Sequence, residues 1–274
     1  MSFASSWSAF RQVWREDLEL ARLGPSRGCL LSLHYRGRVE ARLGRAPKVV
    51  SLRFRHFSRP LELRLSSPYL GAFKGVFLDV EYDGTGLFES PPRRILDLGA
   101  NIGMGSLSLA CQFPVAEFLC VEPDPRNLAL LETNLQLNLL DAEIVAAAVG
   151  AVPGKLKLRF DVDPTCSALE TSPMHDLSNA TEVQVMTVPD LLAKKGWETV
   201  DLVKIDIEGT EEQLLSSHNE WLTRAGAILL EIHPNTTPEA IASYLAPFGF
   251  HLERIGHGRE PVYFASRNPS RGKE

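Results

Sequence analysis

From Pro92 onward the chain alternates between two hydrophobic patterns, and this alternation predicts the fold class. Short apolar runs typical of buried strands occur in RRILDLG, EFLCVEP, EIVAAAVG, VDLVKIDIEG and AILLEIHP. Between them lie segments with apolar residues three or four positions apart, typical of amphipathic helices: MGSLSLACQF, DPRNLALLETNLQLN, EEQLLSSHNEWLTRA and TPEAIASYLAPFG. Strands and helices in alternation predict a doubly wound α/β domain, in which helices cover both faces of a mainly parallel sheet.

The last part of the chain predicts a different connection between strands. FHLERIGH and PVYFASRN are two strand candidates separated by a turn that contains Gly and Pro. Such a pair favours an antiparallel hairpin at the end of the sheet. The helix before it has a well-defined start, because Thr237 can act as the N-cap and Pro238 fits the first helical position.

The N-terminal part of the chain follows another pattern, and we predict an extension over 1–90 followed by the α/β domain over 91–274. Residues 7–21 have the apolar spacing of an amphipathic helix. Short runs between 28 and 65 predict hairpins or an edge sheet, and residues 69–83 favour a helix. We expect this extension to form a lid over the functional site and to supply part of the substrate pocket.

Composition and charge narrow the class of protein. The chain has 274 residues, 44% of them hydrophobic, and a net charge of −5. The first 94 residues carry 16 Lys and Arg against 9 Asp and Glu, whereas the remainder carry 13 against 25. We interpret this asymmetry as two complementary surfaces, or as a basic flap that attracts an acidic ligand. The basic residues form no dense run with interleaved aromatics, so we expect no nucleic-acid partner.

Hydropathy and cysteine usage predict a cytoplasmic protein. No stretch approaches 18 consecutive apolar residues, so we expect no membrane partner, and MSFASSWSAFRQVWRED lacks the pattern of a secretory signal. The four cysteines are widely spaced and form no C-x-x-C pair. This spacing favours neither a disulfide framework nor a zinc site.

The segment ILDLGANIGMG, residues 95–105, places three glycines directly after the first strand of the α/β domain. In an open parallel sheet this position faces the ligand. A phosphate-binding P-loop requires Lys and then Ser or Thr after its last glycine, and Ser106 and Leu107 stand there instead. The dinucleotide pattern G-x-G-x-x-G requires a glycine where Asn101 stands, so NAD is disfavoured although it stays open.

S-adenosylmethionine (SAM) suits this turn better, because it carries no pyrophosphate. Asp97 at the strand end suits its cationic amino group, and backbone N–H groups of the turn suit its carboxylate. Glu122 ends the second strand, where an acidic residue can accept both ribose hydroxyls, as one does for NAD. The full set of predicted cofactor-binding residues is Asp97, Gly99, Ala100, Asn101, Gly103, Glu122, Pro123, Ala148 and Tyr82.

Four segments, in this order and spacing, resemble the FkbM family of SAM-dependent methyltransferases: ILDLGANIGMGSLSLA, CVEPDP, DLVKIDIEGTEEQLL and LLEIHP. The segment LRLSSPYLGAFKGVFLDVEYD is also similar to the part that precedes the core in that family, so the resemblance covers about residues 60–265. The resemblance implies a Rossmann-like, seven-stranded sheet in the order 3-2-1-4-5-7-6 with the last strand antiparallel. It also implies an O-methyltransferase that acts on hydroxyls of small molecules such as natural products or sugars.

Charged residues share one parity near the ends of two neighbouring strands. They are Lys204, Asp206 and Glu208 in DLVKIDIEG, and Glu231 and His233 in LLEIHP. In the sheet order that the resemblance implies, these strands are adjacent, so the side chains converge beside the methyl donor. An alcohol acceptor must lose its proton, and a carboxylate or histidine can take it. We predict these five as catalytic residues, with Lys204 either neutralising the acids or contacting the substrate.

Three points stay open in the sequence. Paired acids at strand ends can hold a divalent metal, but we predict no metal because Lys204 would compete for the carboxylates. A regulatory module that binds SAM without catalysis is the alternative function, and a carbon or nitrogen acceptor also stays open. The segment 161–187 has a polar, irregular pattern, and we expect it to help select an acceptor that the sequence does not identify.

Overall fold

The computed structural model describes most of the chain after residue 32. The described residues are 33, 37, 39–40, 42–45, 48–54, 61–66, 69–77, 80–159, 168–169, 180–255 and 261–268. The helix that we predict over 7–21 lies outside them. Within the described residues, no helix combines the length and the apolar character that a membrane span requires.

Strands and helices alternate along most of this chain. The strands are β1 (Val50–Phe54), β2 (Leu61–Leu65), β3 (Arg94–Leu98), β4 (Glu117–Val121), β5 (Ala142–Val145), β6 (Ala148–Val149), β7 (Gly154–Arg159), β8 (Ala168–Leu169), β9 (Ala180–Met186), β10 (Val200–Ile205), β11 (Ala225–Glu231), β12 (His251–Ile255) and β13 (Val262–Ser266). The α-helices are α1 (Leu70–Phe77), α2 (Met104–Gln112), α3 (Pro125–Leu137), α4 (Val188–Lys195), α5 (Glu211–Ser216) and α6 (Pro238–Leu245). Short 3-10 helices span Glu220–Arg224 and Ala246–Phe248.

In the part of the chain that the structure describes, seven strands form the main sheet, in the spatial order β12-β13-β11-β10-β3-β4-β5. The strands β3, β4, β5, β10 and β11 run parallel, whereas β13 is antiparallel to both of its neighbours, β11 and β12. Numbered along the chain within this sheet, the strands have the order 3-2-1-4-5-7-6 that the resemblance implies. The predicted α/β fold with a closing antiparallel hairpin is therefore confirmed.

Apolar side chains cover both faces of the main sheet, which explains the continuous apolar runs in the sequence. One core cluster includes Ile95 and Leu202, and a second includes Leu96 and Val203. Consecutive residues of one strand thus enter different clusters, because side chains along a strand point alternately to opposite faces. A parallel sheet with helices on both faces buries both sets.

The hairpin β1–β2 packs against helix α3 of the α/β domain. An edge strand such as β2 has unpaired backbone groups. The side chains of Asn134 in α3 and of Asn138, the C-cap of that helix, form hydrogen bonds with these groups. Asn134 accepts from the N–H of Arg64 and donates to its carbonyl, and Asn138 does the same for Glu62 at 2.9 and 2.7 Å. Leu63 is fully buried beneath the hairpin. The hairpin is therefore part of the packed fold, and its role as a lid stays a prediction.

Among the short runs between 28 and 65, CLLSLHY at 29–35 predicts a strand, and this prediction is wrong at its described residue. Leu33 is helical, and the N–H of Leu43 donates to the carbonyl of Val39 at 3.0 Å, as in a helical turn. A short apolar run does not by itself distinguish a strand from a buried helical turn, which explains the error. The later predictions for this region, the hairpin β1–β2 and the helix α1, are confirmed.

A second sheet lies between β5 and α4 in the chain, where we predict one longer strand followed by an irregular segment. Its described residues form four strands in the order β6-β9-β7-β8. EIVAAAVG is split in two, because the chain leaves the main sheet after Val145 and β6 pairs with β9 instead. Alanine has weak strand propensity, so this stretch favours neither sheet by itself. Within 161–187 the predicted irregularity is wrong for β9.

The single helix predicted for EEQLLSSHNEWLTRA is two shorter elements. Helix α5 ends at Ser216, and the 3-10 helix begins at Glu220. Between them His218 has a φ of 50°, and the side-chain amide of Asn219 donates to the carbonyl of Leu215 at 2.6 Å. Ser and Asn side chains compete with helical hydrogen bonds, so the polar stretch SSHN ends the helix.

Candidate active site

The turn after β3 brings the ends of two neighbouring strands into contact. Gly99, Asn101 and Gly103 have positive φ angles of 79°, 51° and 89°. A Cβ atom at Gly99 would overlap the carbonyl oxygen of Asp206, which follows β10. Glycine is therefore required at position 99 both for its backbone conformation and for its lack of a side chain. The turn is also tied to β4, because the N–H of Gly99 donates to the carbonyl of Val121 at 3.0 Å.

An open pocket lies at the carboxyl ends of β3, β4 and β10. Ligands of open parallel sheets bind at this edge. Five predicted cofactor-binding residues and two predicted catalytic residues line it, namely Gly99, Asn101, Glu122, Pro123, Ala148, Asp206 and Glu208. The structure thus brings both halves of the predicted site to one pocket.

The other predicted residues do not line this pocket. They are Asp97, Ala100, Gly103, Tyr82, Lys204, Glu231 and His233. Ala100 and Gly103 shape the turn through their backbones. The N–H of Ala100 donates to Val121 at 2.9 Å, and Gly103 is the N-cap of α2. A Cβ at Gly103 would approach the side chain of Leu131 to 3.0 Å, so this glycine also permits close packing of α3.

Glu122 follows β4 and is a buried carboxylate in the pocket wall, with 4% exposure. It accepts hydrogen bonds from the N–H groups of Asn101 and Asp124, both at 2.8 Å, and from the Asn127 side chain at 3.3 Å. Burial raises the pKa of Glu122 to about 7, although these donors act in the opposite direction. A carboxylate offers about four acceptor sites, so capacity for a ligand hydroxyl remains.

Asp97 of β3 pairs with Lys204 of β10 and does not line the pocket. Its buried carboxylate lies 3.1 Å from Lys204 Nζ and accepts a hydrogen bond from the Ser106 hydroxyl. Lys204 Nζ also donates to the carbonyl of Gly99 at 2.8 Å and lies 3.3 Å from Asp206. Burial alone would lower the pKa of Lys204, but the two carboxylates outweigh it and hold the pKa above its ordinary value. We predict two roles for Lys204, and its contacts with Asp97 and Asp206 match the one in which it neutralises the acids.

Tyr82 connects the N-terminal extension to the end of β10. Its hydroxyl donates to Asp206 at 3.0 Å, and its ring centre lies 5.3 Å from Lys204 Nζ. Burial, together with the charge of Asp206, raises the pKa of Tyr82 well above its ordinary value, so the hydroxyl keeps its proton. The predicted contact between Tyr82 and a bound ligand stays a prediction.

His233 lies among three carboxylates. Its Nδ1 is 2.9 Å from Glu211, and its Nε2 is 3.5 Å from Glu208 and 3.7 Å from Glu231. Burial alone would lower the pKa of His233, but the hydrogen bonds to Glu208 and Glu211 raise it to about 11. The ring is therefore a cation at neutral pH and cannot take a further proton. We call Asp206, Glu208, Glu231 and His233 the acceptor-side cluster.

The two glutamates of this cluster are held differently by the backbone. Glu231 is the last residue of β11, and burial, with a contribution from Asp206, raises its pKa to about 9. Glu208 lies beyond the end of β10 at Ile205 and has a φ of 53°, and burial raises its pKa as well. The strand alternation that we predict through Glu208 therefore stops before it.

Glu211 is a residue of this site that sequence reasoning misses. It is fully buried at the start of α5 and accepts hydrogen bonds from the N–H groups of Ile207 and Gly209, at 3.3 and 3.0 Å. Acidic residues are common in the first turn of any helix, so the pair EE at 211–212 does not predict a buried role. The sequence feature that could indicate burial is the spacing of three residues between Glu211 and Leu214, because it places both side chains on one helix face.

The acceptor-side cluster also has a spacing that suits a metal ion. Asp206, Glu208 and His233 can each present one ligand atom within 4.8 Å of the others. Lys204 Nζ, however, lies 3.3 Å from Asp206, and His233 is itself a cation beside Glu208. These cations compete with a metal for the same oxygens. The expected absence of a metal stays a prediction.

Comparison with known proteins identifies the family. Residues 97–252, more than half of the chain, match the methyltransferase FkbM domain. The chain belongs to the FkbM methyltransferase family. The family that the sequence motifs indicate is therefore confirmed, and the pocket of this FkbM methyltransferase, with the acceptor-side cluster, lies within the matched range.

Three curated relatives are similar to this FkbM-family chain at low identity. Methyltransferase sdnD from Sordaria araneosa is 27% identical over 66% of this chain and 82% of its own length. The 2-O-methyltransferase NoeI from Sinorhizobium fredii is 27% identical over 53% of this chain and 65% of its own length. The 31-O-demethyl-FK506 methyltransferase FkbM from Streptomyces tacrolimicus is 22% identical over 59% of this chain and 73% of its own length. The family and these relatives support methyltransferase activity for this chain.

Proposed function

We propose that this methyltransferase transfers the methyl group of SAM to a hydroxyl group of a small molecule. The observation that carries the proposal is the pocket, which places Glu122 at the end of β4 and Asp206 at the end of β10 around one space. Among the similar proteins, NoeI is named as a 2-O-methyltransferase and FkbM as a methyltransferase of 31-O-demethyl-FK506. These names support oxygen as the accepting atom.

The residues of the pocket fit SAM. Glu122 has acceptor capacity for the ribose hydroxyls, and Ala148, Val149 and Leu158 provide apolar surface for the adenine ring. The bare backbone at Gly99 allows a ligand to lie against the turn. When bound, SAM supplies an electrophilic methyl group.

The acceptor-side cluster supplies the group that takes the proton of the acceptor hydroxyl. Asp206 and Glu208 line the pocket, so both are within reach of a bound acceptor. His233 already carries its proton at neutral pH, and Lys204 is a cation, so the base is a carboxylate. We assign this role to Asp206, with Glu208 and Glu231 orienting the acceptor. General base catalysis of this kind contributes about 10²- to 10⁴-fold to a rate.

Calorimetry with SAM tests the donor half of the proposal. We expect the wild type to bind SAM, and Glu122→Gln to bind it about 10- to 150-fold more weakly, because losing a hydrogen bond to a charged group costs about 1.5–3 kcal/mol. Glu132→Gln, at an exposed position on α3, is the control and should bind SAM normally. Equal affinity in the wild type and Glu122→Gln contradicts the assignment. NAD is not expected to bind.

A transfer assay tests the acceptor half. Labelled SAM is incubated with a panel of hydroxylated sugars and polyketides, and the methylated atom is located by mass spectrometry and NMR. We expect an O-methyl product. In Asp206→Asn the turnover should fall at least about 10²-fold. A methyl group on carbon or nitrogen overturns the assignment of oxygen. SAM binding without transfer to any acceptor favours the regulatory module.

A further inference from the structure

We propose that Glu211 is the positioning residue of the acceptor side, because one carboxylate holds both the turn that carries Asp206 and Glu208 and the ring of His233. The inference rests on the proposed function, since it assigns a role toward the same acceptor. Glu211 itself does not line the pocket. It acts through the residues that surround it.

The turn after β10 depends on Glu211 for backbone hydrogen bonds. The N–H groups of Ile207 and Gly209 both donate to Glu211 Oε1, at 3.3 and 3.0 Å. Between them Glu208 has a φ of 53°, a left-handed conformation that is unfavourable for a residue with a side chain. Hydrogen bonds on both sides of Glu208 stabilise that conformation. Glu211 therefore keeps the Glu208 side chain at the pocket wall.

The same oxygen of Glu211 also holds the ring of His233. Nδ1 of the ring lies 2.9 Å from Glu211 Oε1, which leaves Nε2 beside Glu208 at 3.5 Å and Glu231 at 3.7 Å. The titratable groups that face the ring are thus Glu208, Glu211 and Glu231, and the charge of Asp206 also acts on the ring. Glu211 determines the direction of the ring and the carboxylates that it meets.

The charge of Glu211 is not explained by the turn alone. Glu211 is fully buried, and its Oε2 has no hydrogen-bond partner among the described residues. Burying a carboxylate is unfavourable unless a cation compensates it, and His233 is a cation in contact with it. A neutral side chain with one acceptor atom would also satisfy the two N–H groups. The charge is therefore explained by the His233 ring, which it keeps protonated and oriented toward Glu208 and Glu231.

Glu211→Gln removes the charge and keeps the shape of the side chain, because the amide oxygen still accepts from the backbone. The matched control is Glu212→Gln, at the next residue, which bonds to Tyr244 outside the cluster. Protonation of His233 is followed by ¹⁵N NMR of histidine-labelled protein, with the signal assigned from His233→Gln. SAM affinity is measured by calorimetry, and turnover with a hydroxylated acceptor that the wild type methylates.

In the wild type we expect the ring of His233 to stay protonated well above the ordinary histidine pKa of about 6.5. Glu211→Gln should lower its titration midpoint by about one pH unit or more and lower turnover about tenfold or more, with SAM affinity changed less than about twofold. Glu212→Gln should match the wild type in all three. These results would separate positioning of the acceptor side from a general loss of structure.

Two results overturn the proposal: titration of His233 near its ordinary pKa in the wild type, or the same midpoint in Glu211→Gln and the wild type. If Glu211→Gln does not fold, the titration of His233 in the wild type still tests the proposal. Failure of the wild type to bind SAM contradicts the proposed function instead, and it leaves the His233 measurement unaffected. The two failures are therefore distinguishable.

Discussion

Gly99 and Asp206 meet without an intervening side chain, since a Cβ atom at Gly99 would overlap the carbonyl oxygen of Asp206. The N–H of Asp206 in turn donates to the carbonyl of Leu98 at 3.1 Å. Gly99 belongs to the turn at the donor end of the pocket, and Asp206 belongs to the acceptor-side cluster. The backbone thus joins the two halves of the proposed site.

We expect Gly99→Ala to destabilise the protein more than an alanine substitution at another glycine with a left-handed backbone conformation. Gly196→Ala is the matched control, because Gly196 has a similar φ of 72° and a Cβ there would meet no described residue within 4 Å. The control should lose about 1–2 kcal/mol of unfolding free energy. Gly99→Ala should lose about 1–3 kcal/mol more, because the backbone must move to relieve the overlap. Equal losses in urea denaturation would contradict this account.

Removing the charge of Asp97 is expected to lower stability strongly. Lys204 would keep a buried charge with one carboxylate fewer, and breaking one partner of a buried ion pair costs about 3–5 kcal/mol. We compare Asp97→Asn with Asp141→Asn, at an exposed position, which should change stability by less than about 0.5 kcal/mol. Urea denaturation measures both. Weaker SAM binding at unchanged stability would instead favour the direct contact with SAM that the sequence predicts.

The positions of Glu122 and Asp206 could be predicted from the sequence for a simple reason. Each follows an apolar run that reads as a strand, and the carboxyl ends of parallel strands meet at one edge of the sheet. Both residues line the pocket as a result. Strand periodicity indicates a face and an end, and those are the two properties on which these predictions depend.

Contacts that depend on distances across the fold could not be predicted in this way. Periodicity places Asp97 near the end of β3, but it does not reveal that the Asp97 carboxylate forms an ion pair with Lys204 of the neighbouring strand. Glu211 is separated from His233 by 22 residues, and its role depends on a left-handed residue at 208. The second sheet is not predictable from periodicity, because Ala147 and Ala148 give no packing signal for leaving the main sheet.

Tyr82→Phe is expected to weaken both stability and turnover. The hydroxyl of Tyr82 donates to Asp206 at 3.0 Å in a buried position, and its loss should cost about 1.5–3 kcal/mol of unfolding free energy because the acceptor is charged. Tyr244→Phe is the control, since the Tyr244 hydroxyl donates to Glu212 at the same distance in a more exposed position. We expect less than about 1 kcal/mol there. Equal losses in thermal denaturation would argue against a buried contact to Asp206.

A chelator is expected to leave methyl transfer unchanged within about twofold. Lys204 and His233 are cations that already compensate Asp206 and Glu208, so a divalent metal would have to displace them. The assay compares the untreated protein with protein treated with EDTA, and thermal denaturation with and without Mg²⁺ or Mn²⁺ gives a second measurement. Loss of transfer in EDTA that either metal restores would show that the acceptor-side cluster is a metal site.

Glu231→Gln is expected to gain stability relative to the wild type as the pH rises from about 5 to 9. Burial raises the pKa of Glu231 to about 9 from an ordinary value of 4.5, so the folded protein holds a proton that the unfolded chain has lost. Over this interval the wild type therefore loses stability with increasing pH, by up to about 1.4 kcal/mol for each pH unit. Gln carries no titrating proton, so the variant lacks this loss. The exposed control Glu239→Gln should show no such trend. Urea denaturation at several pH values measures the difference, and a difference that does not change with pH would mean that Glu231 is charged in the folded protein.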